Sequence, residues 1–224
     1  MKGLLIKDME LTLFSKKNLV IFLFIGVFFL FMNEGVSGKI MAIVFISIMF
    51  GMLTLTTISY DEFDHSNAFL MTMPITRTEY VVEKYLFALI SSFGGWLIML
   101  ILSSIILASK DSVSLSMEWY AGCLASFAIV YILTSVMIPL QLKFGSDNGR
   151  MVMFAIVMSA YIVAFGIVWL FKKLNIDEAV INNAITSIMN LPAALLISVT
   201  VICLLAVVGI TMKISMNIML NKQF

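Results

Sequence analysis

The chain has 224 residues, 62% hydrophobic and only 12% charged, with a formal net charge of +1. Soluble domains are about half apolar and about a quarter charged, so this composition excludes a soluble domain and specifies an integral membrane protein. The near-zero net charge, without a basic run long enough to follow a phosphate backbone, excludes nucleic acid as a partner.

The first residues interleave Leu4, Leu5, Met9, Leu11, Leu13 and Phe14 with Lys2, Lys7, Asp8 and Glu10. That pattern predicts an interfacial amphipathic helix over residues 1–17, stopped by Lys16 and Lys17. It lacks the basic, apolar and small-residue order of a signal peptide, so the mature chain is expected to start at Met1. The rest is expected to form a six-span transmembrane domain over residues 18–212 and a short tail over residues 213–224. A phenylalanine-rich first span is expected over residues 18–36, although its strictly apolar part, residues 19–32, is short for a hydrocarbon core of about 30 Å. The second span, residues 40–60, carries Ser47, Gly51 and Thr54 in one helical row with Thr57 beside it. Small residues in such a row let helices approach closely. Helix packing is the commoner reading of that row, and the lining of a substrate path is the sharper one.

Residues 60–84, YDEFDHSNAFLMTMPITRTEYVVEK, form the one long polar insertion between two membrane-grade runs. The first part, residues 61–70, reads as a short separate helix with Asp61, Asp64, His65 and Ala68 on one face and Phe63 and Leu70 on the other. The second part has helix-start signals, Pro74 and then Thr76 with Glu79 three residues on, a capping box whose helix should run straight into the third span. That span is placed at residues 85–108 and the fourth at 118–140, with Trp119 and Tyr120 at headgroup level and Pro139 at the far end. Residues 141–150, containing GSDNG, read as a tight polar turn. The fifth span is expected over residues 151–171 and the sixth over 191–212. Between them Ile176, Val180, Ala184 and Ile188 predict an amphipathic segment at residues 175–190. Cys123 and Cys203 fall inside apolar spans and read as small buried hydrophobes. The fold class is therefore an all-α polytopic membrane protein with six transmembrane helices.

With six spans both ends share one side. Lys2, Lys7, Lys16, Lys17, Arg77, Lys84, Lys143, Arg150, Lys213 and Lys222 lie on that side, against Lys39, Lys110, Lys172 and Lys173 on the other, so both termini are expected in the cytoplasm. No charge falls in the six apolar cores, which weakens a proton relay, a voltage sensor or an intramembrane protease. Asp61, Asp64 and His65 form only a weak metal-ligand pattern, whose commoner explanation is a solvated or partner-facing surface, so no metal is expected. There is no GxxxxGK[ST] loop, and any ATP must be bound by another chain.

The N-terminal MKGLLIKD, the six spans, the acidic YDE after the second and then MPITRTEYVVEKYL resemble the short type-two permease subunits of bacterial ATP-binding-cassette exporters. The likeness covers the whole chain in layout and is most specific from residue 60 to residue 86. It implies a cytoplasmic coupling helix docking on a separate ATPase, which carries over to Asp61, Glu62, Phe63, Asp64 and Phe69. It implies an N-terminal elbow helix and a small re-entrant element in the fifth-to-sixth loop. It also implies that ATP and Mg sit on the partner ATPase, that this chain carries no catalytic residue, and that the permease pairs with a second copy or a sister permease. Within that family the likeness points first to the exporters of amphipathic peptides such as the phenol-soluble modulins, with antimicrobial or lipid export left open. A path between two copies would take hydroxyl and methionine side chains, with Ser47, Thr54, Thr57, Met158 and Ser159 as candidates. From other classes, a membrane assembly or regulatory protein without a path and a channel remain as alternatives.

Overall fold

A computed structural model describes residues 2–14, 16–32, 35–62, 75–109, 117–173 and 193–222, with the backbone alone for most of residues 146–173. The described residues form helices α1 (Lys2–Phe14), α2 (Lys16–Met32), α3 (Gly35–Glu62), α4 (Arg77–Ser109), α5 (Met117–Lys173) and α6 (Ala193–Asn221), and contain no strand. Among them four helical stretches are long and apolar enough to cross a membrane: Gly35–Glu62, Arg77–Leu107, Trp119–Gly145 and Ile197–Asn221. A fifth arises if α1 and α2, bent by 69° to each other, are taken as one span. Alone, α2 has 17 residues, about 26 Å of helix, against a core of about 30 Å. Large apolar side chains such as Phe24, Phe31, Ile202 and Leu205 face outward. In a bilayer that surface costs nothing, because lipid tails are as apolar as the side chains.

The helices start and stop where local chemistry dictates, with several boundaries beyond those expected. Gly35, at φ 81°, opens α3 in a conformation that side-chain-bearing residues avoid, so α3 begins before the span expected over residues 40–60. Lys39 is buried and donates to the Leu30 carbonyl near the end of α2, stapling that turn. At the start of α4 the capping box is present: the Thr76 N–H donates to Glu79 Oε2 at 2.9 Å and the Glu79 N–H to Thr76 Oγ1 at 3.2 Å. As expected, α4 then continues unbroken into the span for 33 residues.

The turn expected at residues 141–150 narrows to one residue, Gly145, whose φ of 75° and ψ of 177° break α5. Gln141 and Leu142 stay helical because both are buried. The Gln141 side chain donates to Ser59 Oγ at 2.9 Å. Pro139 is correspondingly inside the helix and not at its end. A proline there frees the carbonyl four residues earlier, that of Ser135, and the buried Tyr85 hydroxyl takes it at 3.2 Å. The supposed tail is largely α6, which runs to Asn221 and buries Ser215 and Met219.

In packing, α3 lies against α4 and α5, and α6 against α5 and α4. Two apolar cores result. One, near the α2–α3 turn, joins Leu30, Ile43, Ile46, Met99, Trp119 and Cys123. The other, at the end where α3 finishes and α4 begins, joins Leu4, Leu55, Ile58, Tyr80, Tyr85, Tyr131, Leu142 and Met219. We call this second end the loop end.

Candidate functional site

At the loop end the helical rows that pack α3 on α4 finish in charges. On α3 the buried positions Ser47, Gly51, Thr54 and Ile58 recur every three or four residues, and the next member is Asp61. On α4 the buried positions Tyr80, Lys84, Ala88 and Ser92 repeat every four. Where the rows meet, Asp61 Oδ2 accepts from Lys84 Nζ at 2.7 Å and from the Tyr80 hydroxyl at 3.0 Å, while its Oδ1 lies 2.5 Å from Lys7 Nζ. Helix α1 adds Asp8, fully buried, whose Oδ2 accepts from Lys84 and whose Oδ1 faces Lys7 Nζ at 3.3 Å. Thr57 Oγ1 accepts from Lys84 at 3.2 Å, and the Tyr80 ring centroid lies 5.1 Å from the same ammonium. An ammonium has three donors, and the groups around Lys84 supply three acceptors, one on α1 and two on α3.

Burying an ion costs several kcal/mol unless geometry and hydrogen bonds offset it, and here the geometry is good for Lys84, Asp8 and Asp61. Glu83 is different. It is 0% exposed, and neither carboxylate oxygen has a hydrogen-bond partner among the described residues. Its nearest cation is Lys84, 3.9 Å away. Asp61, Glu83 and Lys84, at the two ends of the polar block, are sheltered by other helices.

A second set of ties surrounds the first. Glu62 Oε1 pairs with Lys222 Nζ at 2.7 Å, and Lys222 also donates to the Leu142 carbonyl at 3.0 Å. Arg77 Nη1 donates to the carbonyls of Met219 and Leu220 at 3.0 and 2.6 Å, capping the end of α6.

Of the residues expected to couple to an ATPase, Asp61 and Glu62 form the last turn of α3 and not the start of a separate helix over residues 61–70. Phe63, Asp64 and Phe69 lie outside the described residues, as do His65 and the amphipathic segment at residues 175–190. Of the path candidates, Ser47, Thr54 and Thr57 are buried within the chain. Ser47 donates to the Ile43 carbonyl at 2.6 Å and Thr54 Oγ1 lies 3.4 Å from Ser91 Oγ. Met158 and Ser159 belong to the part of α5 beyond Gly145, described as backbone. Among the described residues no group of three or more His, Cys, Asp or Glu is arranged to hold a metal ion. Reading the sequence missed the roles of Lys7, Asp8, Tyr80, Glu83 and Lys84. The available signal was register, since Asp61 and Lys84 each extend a buried row of small or apolar residues.

Buried ion pairs thus tie α1, α3 and α4 to one another at the loop end. A family model described as ABC-2 family transporter protein matches residues 3–220, nearly the whole chain. The chain belongs to that family. It is the membrane permease subunit of an ATP-binding-cassette exporter, a transport subunit partnered by an ATPase. No curated protein and no solved structure matches this ABC-2 permease.

Proposed function

We propose that the permease expels amphipathic peptides or related amphipathic compounds across a bacterial cytoplasmic membrane, and that residues 61–69 are the lever through which the ATPase drives it. The observation that carries this reading is the position of Asp61. It ends α3 at the edge of the loop and is bonded to Lys84 of α4 and Lys7 of α1, so a pull on the loop moves three helices together. In this reading Phe63 fills a pocket on the ATPase, Asp64 meets basic groups on its rim and Phe69 completes the contact, while Asp61 and Glu62, paired inside the chain, tie that contact to α1, α4 and Lys222. ATP and Mg belong to the partner chain. Helix α1 acts as an elbow, six segments cross the membrane with both termini in the cytoplasm, and a second copy or a sister permease completes the path. The distribution of lysine and arginine supports that orientation.

The test of the lever is Phe63→Ala, expected to detach the ATPase or uncouple hydrolysis from export more than Asp61→Asn does. Unchanged recovery of the complex together with unchanged substrate-stimulated hydrolysis would remove Phe63 from the site. Export of an amphipathic helical peptide from reconstituted vesicles tests the substrate class, and ATP-independent ion currents from the permease alone would favour a channel instead.

For the path we propose Ser47, Thr54, Thr57, Met158 and Ser159. The first three being buried against neighbouring helices, they could line a route only when α3 parts from α4. Thr54→Trp distinguishes the two roles. At a path wall it blocks export and leaves assembly and basal hydrolysis intact; at a packing contact it costs about 1–3 kcal/mol and lowers the yield of complex. Normal export from a normally assembled Thr54→Trp complex would show that this face lines no route.

A further inference from the structure

In the charge cluster three carboxylates, those of Asp8, Asp61 and Glu83, meet two ammonium groups, those of Lys7 and Lys84. Asp8 and Asp61 share both lysines, and Glu83 is left over. It is 0% exposed, its two oxygens are closed to water, and neither has a donor among the described residues. Lys84 stands 3.9 Å away with its three donors directed at Asp8, Asp61 and Thr57. An ionised carboxylate in such a place is among the costliest groups a protein can bury, and the neutral acid costs far less.

Helix α1 forms the wall beside this carboxyl. Glu83 and Leu86 of α4 line one side of a largely apolar groove whose other side is Lys2, Leu5 and Ile6 of α1. The titratable groups that face Glu83 are Lys7 and Asp8 from α1, Asp61 from α3, and Lys84 with Tyr80 on α4 itself. Lys2 lines the groove from its exposed rim, and Glu79, one turn earlier on α4, is occupied in the capping box. From Tyr85 to Ser109 α4 carries no charge, so Glu83 lies on the loop side of the run that crosses the membrane. Burial pushes its carboxyl up to about 7; Lys84 and Lys7 oppose that rise, and Asp8 and Asp61 add to it.

We propose that Glu83 is a proton-binding site that fastens α1: protonated, it lets α1 seat against α4, and on losing its proton to water it drives α1 off. Ionisation opens this contact in two ways. The new carboxylate competes with Asp8 for Lys84, the bond that ties α1 to α4, and it draws water in through the groove that α1 walls. The carboxyl holds its proton more tightly with α1 seated than with α1 lifted into water. Seating is therefore strongest below the ordinary carboxylate value, weakens as pH rises to about 7, and changes no further above it, where both forms are ionised. Helix α1 thereby reads the pH at the loop end.

The experiment uses the full-length permease in nanodiscs, with Cys123→Ala and Cys203→Ala removing the native thiols and Leu4→Cys as a reporter. Leu4 is buried in the loop-end core, so a thiol there reacts with an uncharged maleimide only when α1 lifts. Its rate is divided by that of the same protein carrying Glu83→Gln, the neutral form made permanent. Thiol ionisation and the titration of any other group are common to both and cancel. The ratio should rise about thirtyfold from about pH 5.5 to about pH 8.5, with the rise flattening above about 7. A flat ratio overturns the proposal, because Glu83 then keeps one charge state or does not hold α1, and a falling ratio overturns it because the ionised form then seats the helix. A Glu83→Gln permease that does not fold overturns it as well, since the fold then rejects the neutral form. Infrared difference spectra of the unaltered permease in an ester-free detergent need no reporter. They should show a carboxylic C=O band that disappears over the same range and is absent from Glu83→Gln, and a permease without that band overturns the proposal.

Discussion

Lys84 shows how a single side chain can organise a membrane protein's polar end. It is fully buried, and its ammonium lies 5.1 Å from the Tyr80 ring centroid among Asp8, Asp61 and Thr57. Removing it while leaving the acids in place should be far worse than removing the whole network, because an unpaired buried charge is what the interior cannot tolerate. We therefore expect Lys84→Met to lower stability by about 3–5 kcal/mol, read as the denaturant midpoint of the purified permease. The triple variant Asp8→Asn, Asp61→Asn, Lys84→Met should regain most of that loss, since the two carboxylates bonded to Lys84 are then neutral. If Lys84→Met is as stable as its parent, water reaches the cluster and the ion pairs contribute little.

Among the elements, α3 and α5 pack tightly at Gly51. A Cβ built on Gly51 would stand 2.3 Å from Thr134 Cγ2, and Thr134 is not free to turn because its hydroxyl is bonded to the carbonyls of Val130 and Tyr131 at 3.1 Å each. Gly51→Ala should therefore push the helices apart at a cost of about 1–3 kcal/mol. Adding Thr134→Ser deletes the clashing methyl, keeps the hydroxyl and should restore the loss, a coupling that a double-mutant cycle on unfolding midpoints measures directly. No rescue would mean that the strain lies in the α3 backbone and not at this contact. The same elements show what a sequence reveals. Helix α4 was legible from end to end, because a capping box and an uncharged run are local signals. The break of α5 at Gly145 and the extension of α3 to Glu62 were not, because Gln141, Leu142 and Asp61 are polar or boundary residues held helical by partners on other helices. The charge cluster was the least legible feature. Asp8 is separated from Asp61 by α2 and nearly all of α3, and Asp61 from Lys84 by the polar loop, and no spacing rule connects the three.

For the molecule as a whole, the loop end acts as a ring. Arg77 at the start of α4 holds the last carbonyls of α6, while Lys222 beyond α6 holds both Glu62 at the end of α3 and the Leu142 carbonyl just before the break in α5. With the Lys84 cluster, these bonds join α1, α3, α4, α5 and α6 at the loop end, whereas the outward faces of α2 and α6 carry exposed apolar side chains. If the ring transmits force from the loop, cutting its outer link should impair coupling more than folding. Lys222 is partly exposed, so losing its pair should cost only about 1 kcal/mol of stability after screening by solvent. Lys222→Met is thus expected to assemble with the ATPase at near-normal yield and retain basal hydrolysis, yet lose most substrate-stimulated hydrolysis and export. Glu62→Gln should act in the same direction and the pair together should add little, because both break one link. Full stimulation in Lys222→Met would confine transmission to α1, α3 and α4 and leave α6 a passive wall.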